Sequence, residues 1–131
     1  MIDYRISPDV SNAAMSELFA AAWPGFTSGN LLRTRNHSLT WVCAYDDERL
    51  VGFVNVACDG GIHAFILDTT VHPDVRRQGI GQCLVEHAID AARERGIHWL
   101  HVDFEPHLRG FYDGCGFRPT DAGLMRIQTE R

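Results

Sequence analysis

Between Val71 and Gly81 the sequence reads VHPDVRRQGIG, placing two arginines and two glycines where an apolar stretch gives way to an amphipathic one. That combination suits an anionic ligand, and a diphosphate in particular. A helix N-terminus exposes N–H groups without intrahelical partners and carries partial positive charge. A short glycine-bearing loop in front of it lets those groups converge on phosphate oxygens. Gly79 keeps a side chain away from the ligand, Gly81 lets the first helical turn come close, and Arg76 and Arg77 add charge-assisted donors. Two phosphate patterns do not fit. No Gly-Lys-Ser/Thr follows, which excludes the Walker loop, and Leu84 stands where a dinucleotide fingerprint has its third glycine. On these residues alone a plain structural turn stays open.

The elements that would position this turn are legible along the chain. Ile2, Tyr4 and Ile6 alternate as in a half-buried strand. Ser7-Pro8 with Asp9 reads as a helix start, followed by an apolar stripe of Val10, Ala14, Leu18 and Ala21 that Trp23-Pro24-Gly25 ends. A short second helix is expected near Asn30 to Arg35. Leu39–Tyr45 and Leu50–Cys58 read as strands joined by the acidic turn Asp46-Asp47-Glu48, and Asp59-Gly60-Gly61 marks a further hairpin. Ile62–Val71 is apolar almost throughout, as in a central strand covered on both faces. Gly79–Arg95 carries Ile80, Leu84, Val85, Ala88, Ile89 and Ala92 at helical spacing, with Gly96 as its stop. A strand over Ile97–Glu105, a short helix over His107–Cys115 and two short closing strands, at Phe117 and Leu124–Ile127, complete the order βα(α)βββαβαββ. This is an α/β chain with a mixed sheet and helices on its faces, one domain over residues 1–131.

In this strand–turn–helix context Arg76-x-x-Gly79-x-Gly81 resembles the signature of the GNAT superfamily, the Gcn5-related acyl-CoA-dependent N-acyltransferases. Val71-His72-Pro73 is similar to the Val-x-Pro that leads into that signature, and Phe111-Tyr112-Asp113-Gly114-Cys115-Gly116-Phe117 to the family's Phe-Tyr-x-x-x-Gly-Phe. With the element order, the resemblance covers nearly the whole chain. It implies that acetyl-CoA, or a related acyl-CoA, lays its pyrophosphate on the main-chain N–H groups of Arg77, Gln78, Gly79, Ile80 and Gly81. Its pantetheine would run beside the backbone of Thr69, Thr70 and Val71, where parted strands leave an open edge.

Acyl transfer to an amine makes three physical demands. The amine must be neutral, and deprotonating a lysine-like amine at pH 7 costs about 4.6 kcal/mol. The tetrahedral oxyanion needs a positioned donor. The departing thiolate gains from a proton, general acid–base help being worth ~10²–10⁴-fold. Tyr112 matches the family's tyrosine general acid, and a phenol can donate its proton to sulfur. The base is less legible: where many relatives carry Glu or His, this chain has Phe65 and Leu67. Asp68 is the only ionisable residue between His63 and His72. By plain alternation it shares a strand face with Thr70, opposite Phe65 and Leu67, and it could bind a cationic amine, take its proton through water, or bond nearby backbone. Glu105, at the end of the second strand where many relatives carry an Asn, is the other candidate, and Leu108 departs from their usual Ala. Trp23 and Phe26, at the end of the first helix, either contact the acceptor or cap the core.

Composition narrows the alternatives. The 131-residue chain carries a formal net charge of −5 and all 12 of its cations are arginine, so its field repels nucleic acid and anionic lipid. No run approaches the ~20 apolar residues that cross a bilayer, and the N-terminus has no signal pattern, which leads us to expect a cytoplasmic protein. The 4 cysteines show no metal-finger spacing and are expected reduced. His101, Asp103, Glu105 and His107 could face one metal, but a polar sheet face is the plainer reading and no metal is expected. Cys115 has no histidine placed beside it, which disfavours a covalent acyl-enzyme. The expected activity is acetyl transfer from acetyl-CoA to a small-molecule amine, by direct transfer in a ternary complex. A non-catalytic acyl-CoA-binding domain is the alternative, and a homodimer through sheet edges or C-terminal strands suits a chain of this kind.

Overall fold

Alternating apolar strands separated by tight turns generate an antiparallel meander in the first half of the chain. The structure, a computed structural model, describes residues 1–27 and 29–128. Strands β1 (Ile2–Ile6), β2 (Ser38–Asp46), β3 (Arg49–Cys58), β4 (His63–Val71) and β5 (Trp99–His101) form one sheet in the order β1-β2-β3-β4-β5. The first four pair antiparallel, and β5 joins β4 in parallel. Asp47 (φ 55°) and Gly60 (φ 89°) take the left-handed conformations that the two hairpin turns require.

Helix α3 (Ile80–Glu94) lies across one sheet face. Its Ile80, Leu84, Ala88 and Ala92 recur every fourth residue and bury against Val42, Val51, Val54, Val56 and Ile66. The approach is close at Gly52, where a β-carbon would stand 2.9 Å from Leu84 Cδ1 and 3.1 Å from Ala44 Cβ. We therefore expect Gly52→Ala to overpack this layer by about 1–3 kcal/mol, lowering Tm by roughly 3–10 °C in a calorimetric scan. Helix α1 (Asn12–Ala22), through Met15, Leu18 and Phe19, and helix α2 (Leu31–Arg35), through Leu31 and Leu32, cover the other face in one cluster with Cys43 and Phe53.

Several sequence expectations shift, each for a local reason. Helix α1 begins at Asn12, because Ser7 (φ 50°) spends its hydroxyl on Thr40 Oγ1 (2.7 Å) while Ser11 supplies the capping oxygen to Ala14 N (3.0 Å). Strand β4 is covered on both faces only in part: Phe65 and Leu67 are exposed, and the Phe65 ring stacks on His101 (centroids 4.8 Å apart). Strand β5 spans Trp99–His101 rather than Ile97–Glu105, so Glu105 lies in the following loop, at the start of a 3₁₀ turn over Pro106–Leu108. The short helix, α4, covers Arg109–Gly114. Phe117 and Leu124–Ile127 form no strand among the described residues, and Leu124, Met125 and Ile127 are exposed. The element order otherwise follows the expected one through α4.

Candidate active site

Strand β4 organises the site. It holds β5 only through the pairs His63–Trp99, Ala64–Leu100 and Phe65–His101. Beyond them β5 ends while β4 continues through Thr69, Thr70 and Val71, so a gap opens at the C-terminal end of the parallel pair, where α/β sheets bind ligands. Thr69 Oγ1 is buried there without a partner among the described residues.

The chain leaves β4 into the glycine–arginine turn. His72 N bonds Val51 O (2.8 Å), His72 Nδ1 accepts from Asp74 N (3.0 Å), and Arg49 reaches both His72 and Asp74. A 3₁₀ turn over Pro73–Val75 buries Val75 in the core. Arg77 (φ 67°) and Gly79 (φ 76°) then adopt left-handed conformations, and Gly79 serves as the N-cap of α3. Left-handed backbone is strained for most side chains, which explains the glycine at 79. Among the described residues, the main-chain N–H groups from Arg77 to Gln82 meet no acceptor; the first helical bond in the turn runs from Cys83 N to Gly79 O (3.1 Å). Arg77, Gln78 and Gly79 are exposed, Arg77 is unpaired among the described residues, and Arg76 Nη2 lies 3.5 Å from Ala22 O. At Gly81 a β-carbon would sit 3.5 Å from the Phe111 ring and 3.7 Å from Val71 Cγ2, ordinary contact, so internal packing by itself does not demand a glycine.

Helix α4 borders the same region. Phe111 packs beside Gly81, at the first turn of α3. The Tyr112 ring is buried, stacked on Phe104 (centroids 4.8 Å apart, 19°) and flanked edge-on by Phe111 and Phe117. Phe104 lies in the segment leaving β5, so Tyr112 is fixed between that segment and the start of α3. At Cys115, just past α4, burial and then the charge of Glu86 push the thiol up from its ordinary value, which disfavours the thiolate. None of the 4 cysteines is bonded to another.

On the other side of β4 lies a cavity of about 270 Å³ between α1, α2 and the sheet. Phe19, Trp23, Phe26 and Phe53 form its aromatic wall, and Asp68 and Arg35 are its ionisable residues. Trp23 and Phe26 are thus brought together with Asp68. Phe19 ties the wall together, stacked on Trp23 (5.9 Å) and edge-on to Phe26 (5.7 Å). Trp23 Nε1 donates to Thr70 Oγ1 (3.1 Å), which donates to Asp68 O (2.8 Å).

Asp68 reaches this cavity through a β-bulge. Phe53 faces Thr70 and Asn55 faces Leu67, so β4 holds one residue more than β3 in that interval, and Asp68 takes φ 60°. The bulge corrects the alternation argument. Leu67 and Asp68 both face the α2 side, each lining a pocket with Thr34, while Val71 turns toward α3. Burial alone pushes the Asp68 carboxyl up from its ordinary value. Glu105 is not part of this constellation; it is exposed, in the loop beyond β5. His101 does not join Asp103 and Glu105 on a strand face; its Nε2 meets His63 Nδ1 at 2.8 Å, and no metal-binding group of three such side chains occurs among the described residues.

A model of the acetyltransferase (GNAT) family matches residues 8–117, most of the chain. The chain belongs to the GNAT family. It is similar to serotonin N-acetyltransferase 2, chloroplastic, of Oryza sativa subsp. japonica, 29% identical over 118 residues, 86% of this chain and 59% of the relative. A peptidyl-lysine N-acetyltransferase of Salmonella typhimurium is 38% identical over 80 residues, 61% of this chain and 50% of the relative. The chain spans only part of the length of its curated relatives, 40% in the case of an uncharacterized N-acetyltransferase of Porphyra purpurea. Among solved structures, a GNAT-family acetyltransferase of Streptococcus pneumoniae superposes with a TM-score of 0.80 at 28% identity, over 99% of this chain and 100% of that one. The aminoglycoside N-acetyltransferase AAC(6')-Iy, solved with CoA, shares the fold with a TM-score of 0.79 at 18% identity, over 98% of this chain and 95% of that one. No helix among the described residues is long and apolar enough to cross a membrane.

Proposed function

We propose that this chain transfers an acetyl group from acetyl-CoA directly to a primary amine held in the same complex. One observation carries the reading: beyond the point where β5 leaves β4, strand β4 leads into the unpartnered amides of residues 77–82, donors that suit a diphosphate. Thr69, Thr70 and Val71 border that gap and offer backbone to a pantetheine arm. The amides of Arg77, Gln78, Gly79, Ile80 and Gly81, with the side chains of Arg76 and Arg77, take the phosphates. The buried, unpartnered Thr69 hydroxyl fits a ligand with its own polar groups.

The amine enters from the opposite side of β4. Asp68 sits in the aromatic cavity while the residues that follow it border the gap, so the bulge joins the two sites across one strand. Asp68 attracts the ammonium and receives its proton, directly or through water. The neutral nitrogen attacks the thioester carbonyl carbon, the C–S bond breaks, Tyr112 gives its phenolic proton to the departing thiolate, and the proton that the nitrogen sheds as the amide forms restores the phenol through water. Trp23 and Phe26 hold the body of the amine.

Calorimetry with acetyl-CoA and thiol release with a panel of amines test the reading. Wild type is expected to bind acetyl-CoA and to release thiol only when an amine is present. Gly79→Val forces a β-branched residue into left-handed backbone and misdirects several amides, each worth about 0.3–1 kcal/mol. We expect its acetyl-CoA affinity to fall about tenfold or more. Absence of binding at millimolar acetyl-CoA overturns the reading. Binding without turnover on any amine assigns the non-catalytic role, which the apolar Phe65 and Leu67 at the usual base positions would then explain.

A further inference from the structure

We propose that the acceptor is a zwitterion: a small amine with an apolar body and a carboxylate, its ammonium at Asp68 and its carboxylate at Arg35. The proposal rests on the acetyl-transfer reading and adds the chemistry at the far end of the substrate.

Arg35 ends α2 and lines the same cavity as Asp68. Its guanidinium is fixed in place: Nη1 donates to Val10 O (3.1 Å), and its Cζ lies 4.8 Å from the Trp41 ring centroid. The side chain is only 14% exposed, whereas the one carboxylate near it, Asp9 at 3.8 Å, is fully exposed and therefore a screened partner. Nε is enclosed by the protein and meets no acceptor among the described residues. Nη1 is spent on a backbone carbonyl, which leaves the other guanidinium donors for a carboxylate in the cavity that Arg35 lines. Asp68 is the complementary case: a half-buried carboxylate without a cation beside it among the described residues.

The cavity thus holds one group of each sign, separated by aromatic and aliphatic walls. A simple alkylamine would satisfy Asp68 and leave the Arg35 guanidinium without a counter-charge inside the cavity. A polycation would neutralise Asp68 and meet repulsion at Arg35. A zwitterion with an apolar body satisfies both groups and the wall between them. The volume, about 270 Å³, sits at the lower edge of the ~300–1,000 Å³ common for ligand sites, which favours a small molecule.

The test uses the full chain saturated with CoA and calorimetric titration of two matched pairs. Phenylalanine is compared with phenethylamine, and 4-(aminomethyl)benzoate with benzylamine. At least one carboxylate-bearing member is expected to bind about tenfold or more tightly than its counterpart, the worth of one charge-assisted pair. Arg35→Gln should erase that ratio, whereas Asp68→Asn should weaken both members of the pair alike. Equal binding within both pairs in wild type overturns the proposal, with no variant needed, as does a ratio that survives Arg35→Gln. A protein that binds CoA and acetylates other amines but neither zwitterion also overturns it and leaves acetyl transfer standing. Failure to bind CoA removes the underlying reading instead.

Discussion

Tyr112→Phe is expected to lower kcat by ~10²–10⁴-fold while leaving the dissociation constant of acetyl-CoA within about twofold of wild type. The substitution removes one oxygen and keeps the ring, which stacks on Phe104 and meets Phe111 and Phe117 edge-on. The aromatic cluster therefore survives, and with it the placement of α4 against the first turn of α3. Truncation to alanine would be less informative, since emptying so buried a site destabilises by about 3–5 kcal/mol. Rapid-quench measurement of the first turnover isolates the chemical step from product release. A kcat within threefold of wild type would show that sulfur leaves without the phenol and would reduce Tyr112 to a packing residue.

Asp68→Asn should move stability and activity in opposite directions. Burial raises the carboxyl of Asp68 above its ordinary 3.8, so in the window above that value the folded chain holds more protons than the unfolded one. Stability accordingly falls as pH climbs through the window and stays lowered at neutral pH. Asparagine removes the titration and tolerates φ 60° at the bulge at least as well as aspartate. We expect Tm at pH 7 to rise by roughly 2–5 °C, with the difference vanishing near pH 3, where the wild-type carboxyl is neutral. Meanwhile kcat/KM for the amine should fall by ~10–10²-fold, the worth of a hydrogen bond to a charged group. Wild-type activity should also decline on acidification at a higher pH than an ordinary carboxylate would dictate, and the variant should lack that limb. A Tm that falls instead would mean that the carboxylate has a structural partner and is not held ready for a ligand.

The glycine–arginine turn was legible because its physics is local. A left-handed Gly79, amides at a helix start and adjacent arginines are all consequences of a few consecutive residues. The stripe of α3 and the hairpin turns were readable for the same reason. Sequence alone starts α1 at Ser7-Pro8, because Ser7 and Ser11 carry the same capping hydroxyl; only the hydrogen bond between the Ser7 and Thr40 hydroxyls distinguishes them. It extends β5 because the apolar pattern continues past His101 through Val102 and Phe104, although pairing with β4 has already ended. Arg35 is silent in sequence. One arginine in a short helix carries no signal until its neighbours are known, and its unsatisfied Nε exists only once Val10, Trp41 and the cavity surround it.

Short-range pattern in the sequence suffices for the element order through α4, for the glycine–arginine turn and for the choice of Tyr112 as the proton donor to test, since periodicity, backbone preference and short motifs act over a few residues. The tertiary structure decided where Asp68 points, which cavity it shares with Trp23, Phe26 and Arg35, and where β4 and β5 part. Those outcomes depend on one extra residue in a strand and on which residues across the chain stand opposite it. A register shift of a single position reverses every side chain beyond it, and no local pattern in residues 63–71 records that shift.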